Sequence, residues 1–227
     1  MQLSTDAGFA FLCAPKCASS SIEAAIAPFC NINFSGPGGL KHITARDYRS
    51  HILAYHQRVL ANRPIEAFSI VREPIEWLFS WYRYRQRNDI RNPDHPFHRN
   101  YTGDMSFETF VEAYLEPDKR PSFANVGNQA RFHLLEDGSV GVERIFDMTR
   151  LDRVAAYLSN KLNRTIELPV KNKAPEVVMQ LGEDRKQDLR RALAKDYALY
   201  ERVQQSNGEL ITPVSYTHLT LPTNREV

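Results

Sequence analysis

The chain has 227 residues, enough for one α/β domain with a sizeable core and too few for two ordinary domains joined by a linker. Its 42% hydrophobic and 25% charged residues fall in the ordinary globular range, and a net charge of +2 exerts no global pull on nucleic acid, so any anion site must be local. The opening MQLSTDAGFAFLCAP lacks the basic and apolar regions of an export signal, and no run approaches the roughly 18 apolar residues of a membrane span. The expectation is a cytoplasmic protein with neither a nucleic-acid nor a membrane partner. Cys13, Cys17 and Cys30 are odd in number and lack a second cluster that would complete a zinc site, which suits reduced thiols.

Gly8 to Ala14 (GFAFLCA) is a short apolar run bounded by Gly and Pro, the pattern of a buried strand, and reads as the first strand. After Pro15 and Lys16 comes a run of serines, in which Ser20 and Glu23 have capping-box spacing before IEAAIAPF. GPGG at 36–39 is a loop, and Thr44 with Asp47 repeats the capping spacing ahead of a helix through Tyr48, Ile52 and Leu53. Ala67 to Val71 (AFSIV) is the second strand, and Pro74 stands at the first turn of the helix IEWLFSWYRYRQ. Residues 88–104, rich in Asn, Pro, Asp, His and Gly, form a surface loop. Helices are predicted at Phe107–Leu115, around Gln129–Leu135, over LDRVAAYLSNKL and from about Asp184 to Val203, with a further strand at Arg144–Met148. Alternating strands and helices predict an α/β fold with a central parallel sheet flanked by helices. Residues 1–212 read as one domain; 213–227 lack either periodicity and resemble translated adapter sequence at the end of a reading frame, so they are given no role.

Two constellations carry chemistry. Pro15-Lys16-Cys17-Ala18-Ser19-Ser20-Ser21 lies between a strand and a helix, where outward-pointing amides, a lysine and three hydroxyls make an anion site. Taken alone, it reads equally well as an N-cap beside a solvated lysine. It is not a Walker A loop, since GxxxxGK[ST] is absent and the lysine precedes the turn. In the second, Arg72 ends a strand and Ser80 follows roughly 9 Å along the next helix at about 1.5 Å per residue. A guanidinium and a hydroxyl so placed can grip a second phosphate, although an Arg–Glu surface pair is the plainer reading.

Together, in this order and separation, the two stretches resemble the 3′-phosphoadenosine 5′-phosphosulfate (PAPS)-dependent sulfotransferases, particularly the carbohydrate-type branch of Golgi and bacterial enzymes. The family's PKxASSS loop matches Pro15 through Ser21 and its RxPxxxxxS segment matches Arg72, Pro74 and Ser80. NVGNQARFHL at 125–134 and LPVKNKAP at 168–175 are weaker matches, and the likeness spans roughly residues 8 to 205. It implies a P-loop NTPase-like three-layer fold and PAPS as co-substrate without a metal. Lys16 would stabilise the leaving phosphate; Pro15 to Ser21 would cradle the 5′-phosphosulfate, with Ser19, Ser20 and Ser21 on the phosphate. Arg72 and Ser80 would hold the 3′-phosphate, and Lys171, Asn172 and Lys173 would close over the nucleotide.

The acceptor, a saccharide or other small molecule, offers a hydroxyl or amine whose proton needs a base. Of the seven histidines, His42 is the choice, because KHITA follows the loop where carbohydrate sulfotransferases place acceptor-side residues; a surface histidine beside a helix cap is the alternative, and Glu23 is a second candidate base whose plainer role is capping its helix. The arginines of WYRYRQRNDIRNPDHPFHR among aromatics fit an anionic saccharide or a solvated helix face. A nucleotide kinase using ATP and Mg²⁺ and a non-catalytic protein that binds PAPS or its product PAP are the rival readings, and oligomeric state is left open.

Overall fold

The structure, a computed structural model, describes residues 1–36, 38–59, 63–116, 118–169 and 179–213. Lys171, Asn172, Lys173, His218 and the segment 214–227 lie outside the described residues. The strands are β1 (Gln2–Ser4), β2 (Phe9–Phe11), β3 (Ile32–Asn33), β4 (Glu66–Val71), β5 (Arg144–Asp147) and β6 (Glu209–Ile211), hydrogen-bonded in the order β3-β1-β2-β4-β5-β6. The helices are α1 (Ser19–Ile26), α2 (Gly38–Lys41), α3 (Ala45–Asp47), α4 (Ala54–Val59), α5 (Pro74–Arg85), α6 (Asn88–Arg91), α7 (Phe107–Leu115), α8 (Gln129–His133), α9 (Leu151–Leu162), α10 (Glu183–Ala192) and α11 (Ala194–Gln205). A π-helical stretch, Tyr48–Leu53, joins α3 to α4. Among the described residues no helix is long and apolar enough to cross a membrane.

The fold is α/β, but its sheet is mixed where a parallel one was expected. β2, β4 and β5 are parallel and form the centre; β1, β3 and β6 run antiparallel at the edges. The chain between β1 and β2 is too short for a crossover, so the two strands pair as a hairpin. Gly8, at φ +67° with a would-be Cβ 3.0 Å from the Pro64 carbonyl oxygen, closes its turn. On the far edge Gly208, at φ +79°, turns the end of α11 back into β6, its N–H donating to the Val203 carbonyl over 2.9 Å.

Two further expectations are corrected. Ser20 and Glu23 do not form a capping box: α1 starts at Ser19 behind a left-handed Ala18, without a side-chain cap. Glu23 instead meets Lys41 at 2.7 Å and accepts from the Cys13 thiol at 3.3 Å. The predicted helix from Asp184 to Val203 is two, broken at Leu193 (φ −104°, ψ 24°). Thr44 does cap α3, accepting from the Asp47 amide at 3.2 Å, and α7 and α9 lie where the periodicity put them.

Neighbouring residues of a strand point to opposite faces, and on β4 the two faces meet different helices. Ser69 approaches His133 of α8 at 3.1 Å, whereas the Phe68 ring lies 5.2 Å from Tyr157 of α9, so the sheet is covered on both sides. Phe68 also stacks on Phe11 at 4.9 Å and meets Phe9 and Phe146 edge-on, which makes it the hub that locks the three parallel strands together. Phe68→Ala should therefore cost about 3–5 kcal/mol by loss of transfer energy and a cavity. Urea unfolding checks this; a loss under about 1 kcal/mol would mean that the surrounding rings close the gap.

Candidate functional site

The C-terminal ends of β2 and β4 open into the two loops that carry the proposed site residues. Beyond β2, Lys16 (φ 64°) and Ala18 (φ 54°) both adopt the left-handed region that side chains other than glycine rarely enter. A left-handed residue followed by a helical one turns successive amides toward a common point, a backbone nest suited to an anion. Among the described residues the N–H groups of Lys16, Cys17, Ala18, Ser19 and Ser20 meet no acceptor, and neither do the Ser19 and Ser20 hydroxyls. The first intrahelical bonds, from the Ser21 and Ile22 amides, go to the Ala18 carbonyl. The local structure is thus a row of unpaired donors with a lysine at its mouth.

Not every side chain of the stretch faces that row. The Pro15 carbonyl accepts from Trp77 Nε1 at 2.9 Å, and Cys17 is buried, its thiol donating to Gln129 Oε1 at 3.4 Å. Burial pushes the Cys17 thiol up to about 12, which keeps it protonated and inert. What Cys17 can offer an anion is its amide.

The Lys16 ammonium lies 4.1 Å from the Tyr84 ring centroid and 5.5 Å from that of Trp81. Burial, then the charges of Arg87, Arg72, Arg85 and Arg83, bring its pKa down to about 8. Arg72 follows β4, and its guanidinium pairs with Glu76 at 3.0 Å, so the plain Arg–Glu pair does form. Ser80 sits half-buried inside α5 with no partner for its hydroxyl among the described residues.

Gln129, within the NVGNQARFHL stretch of weaker resemblance and no assigned role, joins the two loops. Its side-chain oxygen accepts from the Arg72 amide at 2.9 Å and from the Cys17 thiol, and its Nε2 donates to the Arg72 carbonyl at 2.8 Å. The Gln129 and Ala130 amides in turn donate to Asp196 Oδ1 at 2.6 and 3.3 Å. Asp196, buried in α11, thereby caps α8.

His42 follows α2 and places Nδ1 2.6 Å from the Cys13 carbonyl oxygen, just before the lysine loop. A carbonyl only accepts, so Nδ1 carries the proton and Nε2 keeps its lone pair. Burial lowers the His42 pKa against the opposing pull of that hydrogen bond, which favours the neutral ring. His133, by contrast, is wholly buried and pushed down to about 4, a structural residue. Two clefts lie elsewhere, at the N-terminal ends of the parallel strands; one, lined by Gly8, Ile65, Glu66, Glu143 and Lys161, is far from the lysine loop along the sheet. Among the described residues no group of three or more His, Cys, Asp or Glu is placed to hold a metal.

A sequence model of the sulfotransferase family matches residues 2–207, nearly the whole of the described chain and both loops. The chain belongs to the sulfotransferase family. No curated protein matches it. For this sulfotransferase the family match covers the lysine loop, the Arg72 loop and the Gln129 tie between them in one stretch.

Asp196 provides a test of that tie. Burial raises its carboxyl to about 6 despite the two amides that donate to it. The folded protein therefore binds a proton between about pH 6 and the ordinary carboxylate value that the unfolded chain does not bind. The stabilisation is fully present below about pH 4 and is lost as the pH rises through about 6. Asp196→Asn keeps the acceptor oxygen and should flatten this limb, raising stability at pH 7 by about 1–3 kcal/mol. Asp196→Ala orphans two amides and should cost about 1–3 kcal/mol. Chemical unfolding from pH 4 to 8 reads both; an unchanged pH slope in Asp196→Asn would show that Asp196 titrates normally.

Proposed function

We propose that this sulfotransferase moves the sulfuryl group of PAPS in line to the hydroxyl of a small-molecule acceptor, most simply a saccharide, or to an amine, in a P-loop-like site. The observation that carries the reading is the row of unpaired amides behind Lys16, held in register with Arg72 through Gln129. Five amides, the serine hydroxyls and an ammonium fit a doubly charged phosphosulfate, and a guanidinium on the neighbouring strand end fits a second, separate phosphate. PAPS offers those two anionic groups and supplies an activated sulfuryl group.

In this reading the nest and the Ser19, Ser20 and Ser21 hydroxyls bind the 5′-phosphate, and Arg72 and Ser80 bind the 3′-phosphate, Arg72 exchanging Glu76 for it. Lys171, Asn172 and Lys173 cover the nucleotide. The acceptor oxygen forms its bond to sulfur as the bond from sulfur to the phosphate oxygen breaks. Lys16 neutralises the charge that grows on the departing phosphate, which is preorganised electrostatic stabilisation. His42 Nε2 takes the acceptor proton, and the Cys13 carbonyl holds the ring in the tautomer that allows it. Backbone and basic side chains neutralise the phosphates, so no metal is called for.

Incubation with radiolabelled PAPS and a panel of sugars, alcohols, phenols and amines, without Mg²⁺, should yield a sulfated product; labelling from ATP and Mg²⁺ alone would point to a kinase instead. Lys16→Ala should reduce transfer about 10²-fold or more for every acceptor. His42→Ala should cost on the order of 10² to 10⁴ in transfer and leave PAP affinity intact. Arg72→Ala should weaken PAP far more than adenosine 5′-phosphosulfate, and equal loss for both would assign Arg72 a structural role.

The pH profile has a definite sign. A neutral His42 and a charged Lys16 are needed together, so kcat/KM should rise through a pKa below the ordinary imidazole value and fall as the pH passes about 8. A profile still climbing at pH 9 would exclude the Lys16 ammonium from the free enzyme's working form.

A further inference from the structure

Trp77, Trp81 and Tyr84 stand four and three residues apart on α5, the spacing of one helix face. Their rings form an edge-to-face ladder, Trp77 to Trp81 at 6.1 Å and Trp81 to Tyr84 at 5.8 Å. The lysine loop lies along this ladder. At one end Trp77 Nε1 donates to the Pro15 carbonyl at 2.9 Å; at the other, the next residue's ammonium sits 4.1 Å from the Tyr84 centroid. Tyr84 also gathers Arg87 at 5.4 Å and Arg85 at 5.9 Å, so one ring collects three mutually repelling cations. Trp81 Nε1, between the two ends, is buried without a partner among the described residues.

A ring face attracts a cation without neutralising it, whereas a carboxylate in the same place would compete with an incoming anion for the lysine. We infer that Tyr84 is a positioning residue for Lys16: at the end of the α5 ladder its ring carries the ammonium beside the amide row, charged and unpaired, for the leaving phosphate. This rests on the reading of Lys16 as the cation that meets that phosphate. The phenolic oxygen plays no part, so phenylalanine serves as well as tyrosine.

The test combines an assay with a spectrum. In ¹³C-lysine-labelled protein, the Lys16 ε-protons, assigned by their absence in Lys16→Ala, should be shifted upfield by the ring; Tyr84→Phe should keep the shift and Tyr84→Leu should lose it. With PAPS and any accepted substrate, Tyr84→Leu should lower kcat about tenfold with little change in PAPS KM, Tyr84→Phe should restore it, and adding Tyr84→Leu to Lys16→Ala should cost nothing more. Should Tyr84→Leu melt early, Tyr84→Gln makes the same comparison at this half-buried position. Full additivity in the double variant, or a Lys16 signal that ignores residue 84, would overturn the inference. If Lys16→Ala alone leaves transfer intact, it is the reading of Lys16 that fails, and the spectrum still decides whether Tyr84 holds the side chain.

Discussion

The side-chain amide of Gln129 is the interaction on which the two halves of the site depend. The ladder between β4 and β5 ends at Val71 opposite Asp147, so the peptide groups of Arg72 have no strand beside them. Gln129 supplies what a strand would, one acceptor for the Arg72 N–H and one donor for its carbonyl, and spends a further lone pair on the Cys17 thiol. Its own amide is held by Asp196 of α11. A chain of buried hydrogen bonds from α11 through α8 thus sets the distance between two loops that meet nowhere along the sequence. In a low-dielectric interior such a network is rigid when complete and costly when one member is missing.

The electrostatics follow from that arrangement. A net charge of +2 conceals a local surplus, because Arg72, Arg83, Arg85 and Arg87 all lie close enough to act on Lys16. Of the carboxylates nearby, Glu76 pairs with Arg72, Asp89 pairs with Arg87 at 3.0 Å, and Glu73 is occupied by capping α5 and by the Tyr197 hydroxyl. Concentrated like charge opposes folding, and it adds to burial, the larger cause, in lowering the pKa of Lys16. The rings of α5 offset part of it without cancelling the charge, so the surplus stays available to an anion. In the proposed reading, an anionic ligand gripped at two points would relieve repulsion that the fold has already sustained.

Much of this was legible in the chain. The apolar runs ending at Ala14 and Val71 and the stretch Arg144–Met148 marked all three parallel strands, and the lysine and arginine stretches after the first two gave the family resemblance. β1, β3 and β6 were not legible: strands of two or three residues carry no measurable period, and their partners come from tertiary pairing. The capping box misled because Ser20 and Glu23 have the right spacing while the left-handed Ala18 moves the helix start to Ser19. Gln129 fell within NVGNQARFHL, a weaker family match that carried no role. Its role was not legible because the partners that define it lie 57 and 112 residues away. Trp81 and Tyr84 were seen only as aromatics among arginines, since nothing in that run reveals that Lys16 comes to rest on them.

The direction in which the lysine loop presents its amides has a simple cause in the planarity of the peptide. In a trans peptide the C=O and N–H of one unit point opposite ways, so fixing a carbonyl fixes the amide that follows it. Trp77 holds the Pro15 carbonyl on the α5 side, which sends the Lys16 N–H away from it. His42 does the same at the Cys13 carbonyl, two residues earlier, and the Ser21 and Ile22 amides hold the Ala18 carbonyl into the helix, turning the Ser19 N–H outward. The left-handed conformations of Lys16 and Ala18, which cost roughly 1–2 kcal/mol each in residues with a Cβ, are what remains when these carbonyls are anchored over so short a span. Glycine at 16 would relieve that strain and remove the ammonium. The loop therefore retains strain at the position where the proposed chemistry needs a side chain, and carbonyls bound on one side leave donors free on the other.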